Sequence, residues 1–354
     1  MPSARPIKKV LVAALDWGLG HATRSIPVIN EFLKQGCEVQ IASSGGALVL
    51  LKEEFPLLRF HTIASYNATY SSVLPFMIKI LIQMPKFILA IRKEHWQIEK
   101  IVHNEKIDLL ISDNRYGCWS TKIPSVLITH QVNIIMPPAW KWLEGVINYG
   151  NHWQIGKFTD CWIPDFPNGI TGRMTGPTKM KTKFIGMVSR FTKMNVPIKY
   201  DVLAIISGPE PQRSLLEAKI KSQLLALGLS YFIVKGKPGA EKPDDREADH
   251  LASKKLNELI ESSSLVIGRS GYTTVMDLWK LGKKAVFIPT PGQTEQEYLA
   301  KELMRRGIAF YQDQNDFDLK YALEESKKYK GFEGFEQQTN LLADVVENLL
   351  SPNA

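Results

Sequence analysis

The segment from Leu265 to Ala300 constrains the fold more than any other stretch of the chain. Leu265-Val266-Ile267 is a short apolar run ending in Gly268, and Arg269-Ser270-Gly271 turns the chain. Val275, Leu278 and Leu281 then recur at helical spacing, and Gly282 predicts the helix stop. Ala285 to Ile288 reads as the next strand, and Pro289 to Gln293 as a loop before another helix. Strand, turn, helix, strand, loop and helix make a parallel α/β unit, in which ligands sit beyond the carboxyl ends of the strands. Both loops here leave such ends. Gly271 lets backbone come close to a ligand, and the helix start after it offers free N–H groups to a phosphate. Asp277 and Glu295-Gln296-Glu297 add acceptors suited to ribose hydroxyls or a sugar. An ordinary βαβα unit with polar loops fits the same pattern.

The N-terminus repeats the theme. Lys9 to Leu15 reads as a buried strand, Asp16 to His21 (DWGLGH) as a Gly-rich turn, Thr23 to Gln35 as a helix and Glu38 to Ala42 as a strand. The turn lacks a third glycine in register, so the dinucleotide fingerprint is incomplete. Further strands are predicted at Arg59–Ile63, Lys106–Ser112, Val126–Thr129 and Cys161–Pro164, with a helix at Ala47–Glu54. Pro167 to Lys183 is rich in Gly, Thr, Lys and Pro and predicts a crossing between domains. After it, Asp201 to Ile206 reads as a strand that ends in Ser207-Gly208, with a helix to Leu227. That again places a Ser/Gly turn before a helix start. Two doubly wound α/β domains follow, with Leu342, Val345, Val346 and Leu349 on one face of a terminal helix.

Composition narrows the partners. A chain of 354 residues is long for one core, so two domains are expected. The net charge of +8 favours anionic partners such as nucleotide phosphates or acidic headgroups. No Lys/Arg run is interleaved with aromatics, which argues against nucleic acid. Cys37, Cys118 and Cys161 are few and irregularly spaced, so a reducing compartment and no metal site are expected. MPSARPIKK runs straight into VLVAAL, so no signal peptide is expected, and no stretch reaches the roughly 18 apolar residues of a membrane span.

Val73 to Val102 stands apart. Lys79, Gln83, Lys86, Lys93, Gln97 and Lys100 fall on one helical stripe, and most other positions to Ile91 are apolar. Pro85 predicts a kink or a split. The stretch reads either as a helix pair packed inside its domain, or as a surface (Phe76–Ile91) that dips into an anionic membrane with its lysines on headgroups.

The RSGYTTVMDL and PTPGQTEQEYLA segments resemble the donor-binding half of MurG-like GT-B glycosyltransferases. Asp277 stands where that family has Glu, and Gln296–Glu297 stand where it has Gln-Gln. His21 matches the His that ends the family's acceptor-side Gly loop, which brings in Gly18 and Gly20. His130, Gln131 and Asn133 match an acceptor-side His/Gln/Asn cluster, and Arg190 matches an Arg that approaches the diphosphate. Pro209 and Pro211 depart from the family's Gly-Gly-Ser loop, and each removes a backbone donor. The resemblance implies a GT-B fold of two Rossmann-like domains facing across a cleft, residues 1–186 for the acceptor and 187–354 for the donor, with a C-terminal helix crossing back.

It also implies an inverting, metal-independent transfer from a nucleotide sugar, a UDP-sugar, to a hydroxyl acceptor that is lipid-linked or a cell-envelope precursor. No separate cofactor is expected. The protein would be cytoplasmic, peripheral on the inner face of the membrane. His21 is the expected general base, with Asp113 orienting it. Arg190, Ser207, Gly208, Arg269, Ser270, Gly271, Tyr272, Thr273, Asp277, Gln293, Glu295, Gln296 and Glu297 are the expected donor ligands. A UDP-sugar 2-epimerase or hydrolase of the same fold, and a non-catalytic nucleotide-sugar binding protein, are the alternatives.

Overall fold

The computed structural model describes residues 7–69, 76–176, 178, 180–237, 245–334 and 341–351. The chain divides into two compact units, residues 1–69, 80–188 and 338–354 in one and 70–79 and 189–337 in the other.

The first unit contains β1 (Lys9–Ala14), α1 (Gly20–Lys34), β2 (Glu38–Ser43), α2 (Gly45–Glu54), β3 (Arg59–Thr62), α3 (Phe76–Glu105), β4 (Leu109–Asp113), β5 (Ser125–Ile128), α4 (Glu144–Ile155), β6 (Asp160–Ile163) and β7 (Thr182–Phe184). Its strands form one parallel sheet in the order β3-β2-β1-β4-β5-β6-β7. Alternate side chains of β1 feed opposite faces, as the pleat requires. Val10 and Val12 pack with Ile26, Ile29 and Phe32 of α1, whereas Leu11 and Ala13 pack with Ile98 and Val102 of α3. A strand buried on both faces reads as the unbroken apolar run seen in the sequence.

The second unit contains β8 (Tyr200–Ile205), α5 (Gln212–Leu227), β9 (Tyr231–Val234), β10 (Glu247–Ala248), α6 (Ser253–Glu261), β11 (Ser263–Gly268), α7 (Tyr272–Leu281), β12 (Ala285–Phe287), α8 (Thr294–Arg305), β13 (Phe310–Tyr311) and α9 (Leu319–Ser326). Its parallel sheet runs β10-β9-β8-β11-β12-β13. Gly282 ends α7 at φ 68°, a left-handed conformation that glycine adopts without a Cβ clash. The terminal helix α10 (Leu341–Leu350) returns to the first unit, where Leu342, Val345, Val346 and Leu349 join the core formed by β1 and α1.

Two local expectations change. Helix α3 runs continuously through Pro85. Its burial is also inverted: Gln83, Phe87, Glu94 and Ile98 face inward, and Ile82, Met84, Ile88, Leu89 and Trp96 are exposed. Gln83 is tied inward by its bonds to Thr69, and Glu94 by its pairing with Arg115. An internally packed pair therefore does not describe this helix. The start of the stretch at Val73 and the side chains of Phe76 and Met77 lie outside the described residues. The tryptophans around α4 differ in burial: Trp162 is fully buried in β6, while Trp142 and Trp153 are exposed beside and within α4.

Candidate active site

Each sheet reverses its strand order once, between β1 and β4 in the first unit and between β8 and β11 in the second. The crevice beyond the carboxyl ends of the strands at such a reversal is where open α/β sheets bind ligands. Both reversals are lined by residues that the sequence singled out.

In the first unit the chain leaves β1 through the Gly-rich turn, and His21 falls in the first turn of α1. Asp113 is the last residue of β4, the neighbouring strand, and is fully buried. The His21 side chain is 17% exposed, and its Nδ1 lies 2.7 Å from Asp113 Oδ1. Burial alone would raise the Asp113 pKa, but the charges of Arg24 and His21 and their hydrogen bonds outweigh it and hold the carboxyl at about 2. Burial lowers the pKa of His21, and the Arg24 cation lowers it further, against the pull of Asp113. At neutral pH the pair is thus a neutral imidazole beside a carboxylate. With Nδ1–H donating to Asp113, Nε2 is left as a proton acceptor.

Arg24 escaped the sequence reading. It lies on α1 three residues after His21, hence on the same helical face, and is 2% exposed. The available signal was an arginine in a helix whose neighbours Ala22, Ile26, Val28 and Ile29 are core residues. His130, just beyond β5, joins the group with its Nδ1 3.0 Å from an Arg24 terminal nitrogen. The backbone of Gln131 and the side chain of Asn133 bond to α4. The Gln131 carbonyl accepts from Asn151, and Asn133 Oδ1 accepts from His152 at 2.9 Å. Gly18 adopts φ 85° in the exposed turn, and Gly20 opens α1. A second buried cation, Arg115, holds the approach to the turn. It pairs with Glu94 and donates to Ser44 Oγ at 2.6 Å, with Asp16 Oδ1 at 3.3 Å.

In the second unit Ser207 and Gly208 follow β8, and Arg269, Ser270 and Gly271 follow β11. Gly208 takes φ 108°, and a Cβ there would lie 3.3 Å from Thr290 Oγ1. Gly271 caps α7, and a Cβ added to it would meet no atom within 4 Å. Ser270 Oγ donates to the Gln296 carbonyl at 2.7 Å, and Gln296 Oε1 accepts from Thr290 N at 2.8 Å. Gln296 also donates to Gln293, and Glu297 accepts from Gly292 N at 2.9 Å. These bonds tie the loop after β12 to the loop after β11. Tyr272 is buried, while Thr273 and Glu295 are partly exposed.

Arg269, one of the expected donor ligands, spends its donors inside the protein. Its five N–H donors meet the carbonyls of Ser207, Ile288, Pro289 and Gln212 and the side-chain oxygen of Gln314. It clamps the loops after β8, β11 and β12 together, and burial lowers its pKa to about 10. Asp277, on α7, accepts from Ser189 Oγ. Burial pushes its carboxyl up to about 6, with the Ser189 bond and the Arg190 charge acting the other way. Arg190 donates to Ser253 Oγ at 2.8 Å.

Comparison with known proteins agrees with this architecture. Residues 249–339 match the glycosyltransferase family 28 C-terminal domain. A UDP-N-acetylglucosamine–N-acetylmuramyl-(pentapeptide) pyrophosphoryl-undecaprenol N-acetylglucosamine transferase from Glaesserella parasuis serovar 5 (strain SH0165) is 26% identical over 324 residues, which covers 88% of this chain and 86% of the relative. The transferase of the same name from Haemophilus influenzae (strain PittGG) is 25% identical over 330 residues, covering 87% and 86%. Acinetobacter baumannii MurG aligns with a TM-score of 0.60 at 17% identity, over 97% of this chain and 99% of that one. The spinosyn forosaminyltransferase SpnP aligns with a TM-score of 0.64 at 16% identity, over 97% and 98%. At these identities the solved structures establish the fold alone.

The two parallel sheets and these matches define a glycosyltransferase of GT-B fold. In sequence it resembles those two N-acetylglucosamine transferases, at 26% and 25% identity, and in fold it resembles Acinetobacter baumannii MurG.

Proposed function

We propose that this enzyme moves a sugar from a UDP-sugar to a hydroxyl of a lipid-linked acceptor, with inversion and without a metal. The observation that carries the reading is the His21–Asp113 pair, a neutral imidazole held by a carboxylate that stays ionised at neutral pH, at the strand reversal of the first unit. The names of the sequence relatives support a UDP-sugar donor and a lipid-linked acceptor. In the proposed step His21 Nε2 takes the acceptor hydroxyl proton as that oxygen bonds to the anomeric carbon. The bond from that carbon to the diphosphate oxygen breaks, and the electron pair leaves with UDP. Attack opposite the leaving group inverts the centre. Asp113 stabilises the imidazolium formed.

The second unit would serve the donor. The N-termini of α5 and α7, with Arg190, would stabilise the charge that gathers on the diphosphate. Asp277 would accept from ribose hydroxyls, and Gln296 and Glu297 would read the sugar. A thermal-shift panel of UDP, GDP, dTDP and ADP tests this reading. A shift with UDP above the others supports it, and no shift with any of them contradicts it.

Among the described residues no helix is long and apolar enough to cross a membrane. We propose instead that the exposed face of α3 rests on an anionic bilayer. Ile82 and Leu89 on that face are 62% and 65% exposed, and Lys86 and Lys93 flank them.

A further inference from the structure

Arg24 makes more of its guanidinium than an ion pair needs. Its Nε donates to Asp113 Oδ2 at 2.6 Å, and one terminal nitrogen bonds Asp113 Oδ1, so the fork takes both carboxylate oxygens. That same nitrogen lies 3.0 Å from His21 Nδ1, and the other lies 3.0 Å from His130 Nδ1. One side chain from α1 therefore touches the end of β4, the loop beyond β5 and the ring three residues before it.

A guanidinium has only donors. His130 Nδ1, which meets it, must be an acceptor, and the His130 proton then sits on Nε2. His21 Nδ1 faces two opposite neighbours, an acceptor at 2.7 Å and a donor at 3.0 Å. It cannot serve both at once. Donation to Asp113 leaves Nε2 bare and able to take a proton, whereas acceptance from Arg24 puts the proton on Nε2 and disables it as a base. The outcome depends on the carboxylate presenting Oδ1 to His21, and Arg24 sets that orientation by occupying Oδ2.

We propose that Arg24 is a positioning residue for the His21–Asp113 pair, fixing the carboxylate so that it receives the His21 Nδ1 proton, and fixing His130 as an Nε2–H donor beside it. The proposal deepens the reading of His21 as general base and rests on it for its catalytic meaning. The charged and titratable groups that act on His21 are Arg24 on its own helix, Asp113 from β4 and His130 from beyond β5. Arg24 opposes protonation of the ring and Asp113 favours it. The fork thus leaves the imidazole less basic than a carboxylate partner alone would make it.

Nitrogen-15 NMR of the histidine-labelled full-length protein tests this without any substrate, the His21 and His130 signals being assigned by their loss in His21→Ala and His130→Ala. The wild type should show His21 protonated at Nδ1 and His130 at Nε2. Arg24→Gln removes the cation, so the His21 titration midpoint should rise by about one unit. Arg24→Lys keeps the charge and loses the fork, so that midpoint should hold while His130 becomes a mixture of tautomers. The lysine variant also covers the case in which the glutamine variant does not fold, because Asp113 keeps a cation nearby. Tautomers and midpoints unchanged in the folded variants would overturn the proposal. Failure of the catalytic reading would be seen separately, as undiminished transfer by His21→Ala, and would leave the NMR result standing.

Discussion

The two units solve the same topological problem and then part in their electrostatics. Each has a buried or partly buried aspartate on or after a strand at the reversal of its sheet, Asp113 at the end of β4 and Asp277 within α7, the helix that follows β11. Asp113 has a guanidinium fork and an imidazole, and its pKa falls to about 2. Asp277 has one serine hydroxyl and a more distant arginine, and burial carries it up to about 6. A carboxylate that must orient a base throughout the reaction needs its charge permanently compensated. A carboxylate that is to accept ligand hydroxyls is better left with few internal partners, since the ligand then supplies what is missing. On the proposed reading the first unit carries the chemistry and the second holds the donor.

The largest effect should come from removing the two charges in turn. Asp113→Asn strands Arg24 in the interior and should cost about 3–5 kcal/mol in chemical denaturation at pH 7. Asp277→Asn should be close to neutral there, because its carboxyl is already disfavoured as an anion. The pH dependence separates them further. Asp113 is depressed when folded, so its stabilisation is present above the unfolded value near 4 and is lost as pH falls toward 2. Asp277 is raised, so the folded state binds its proton first and the contribution improves as pH falls through 6. Equal losses from the two variants at pH 7 would break the comparison.

Gly271→Val probes the receptor side. The residue has φ −65° and ψ 140°, and an added Cβ meets no atom within 4 Å, so the valine variant should fold with a melting temperature near that of the wild type. If the α7 N-terminus cradles the diphosphate, UDP affinity measured by calorimetry should fall by roughly tenfold or more, about 1.4 kcal/mol. Unchanged affinity would place the cradle elsewhere. A smaller effect is expected from pH alone. Ribose hydroxyls donate to the ionised form of Asp277, so UDP should bind almost fully at pH 7 and about twofold more weakly at pH 6. Asp277→Asn should flatten that profile.

The division into strands and helices was legible wherever apolar runs were bounded by glycine. Strand β8 falls within one residue of the expected Asp201–Ile206, and the helix from Gln212 ends at Leu227 as expected. Helix α3 was less legible. Its polar stripe mixed Gln83, which turns inward to Thr69, with lysines that stay outside, and residue type alone does not reveal that exchange. His21 and Asp113 could each be named from sequence, but their contact across 92 positions comes from the pairing of β1 with β4. Arg24 was hidden because a buried arginine makes sense only once its acceptors are in place. Arg269 was named among the donor ligands from its place in the turn, but its internal acceptors, mostly backbone carbonyls, could not be read from sequence.

The central claim is that catalysis belongs to the first unit and donor recognition to the second. Parallel measurement of UDP affinity and acceptor-dependent transfer in His21→Ala and Asp277→Ala tests it most directly. His21→Ala should keep wild-type UDP affinity and lose about two to four orders of magnitude in turnover. Asp277→Ala should weaken UDP by roughly 1–3 kcal/mol and change turnover far less once donor is saturating. Loss of nucleotide binding in His21→Ala with retention in Asp277→Ala would contradict the assignment of both units.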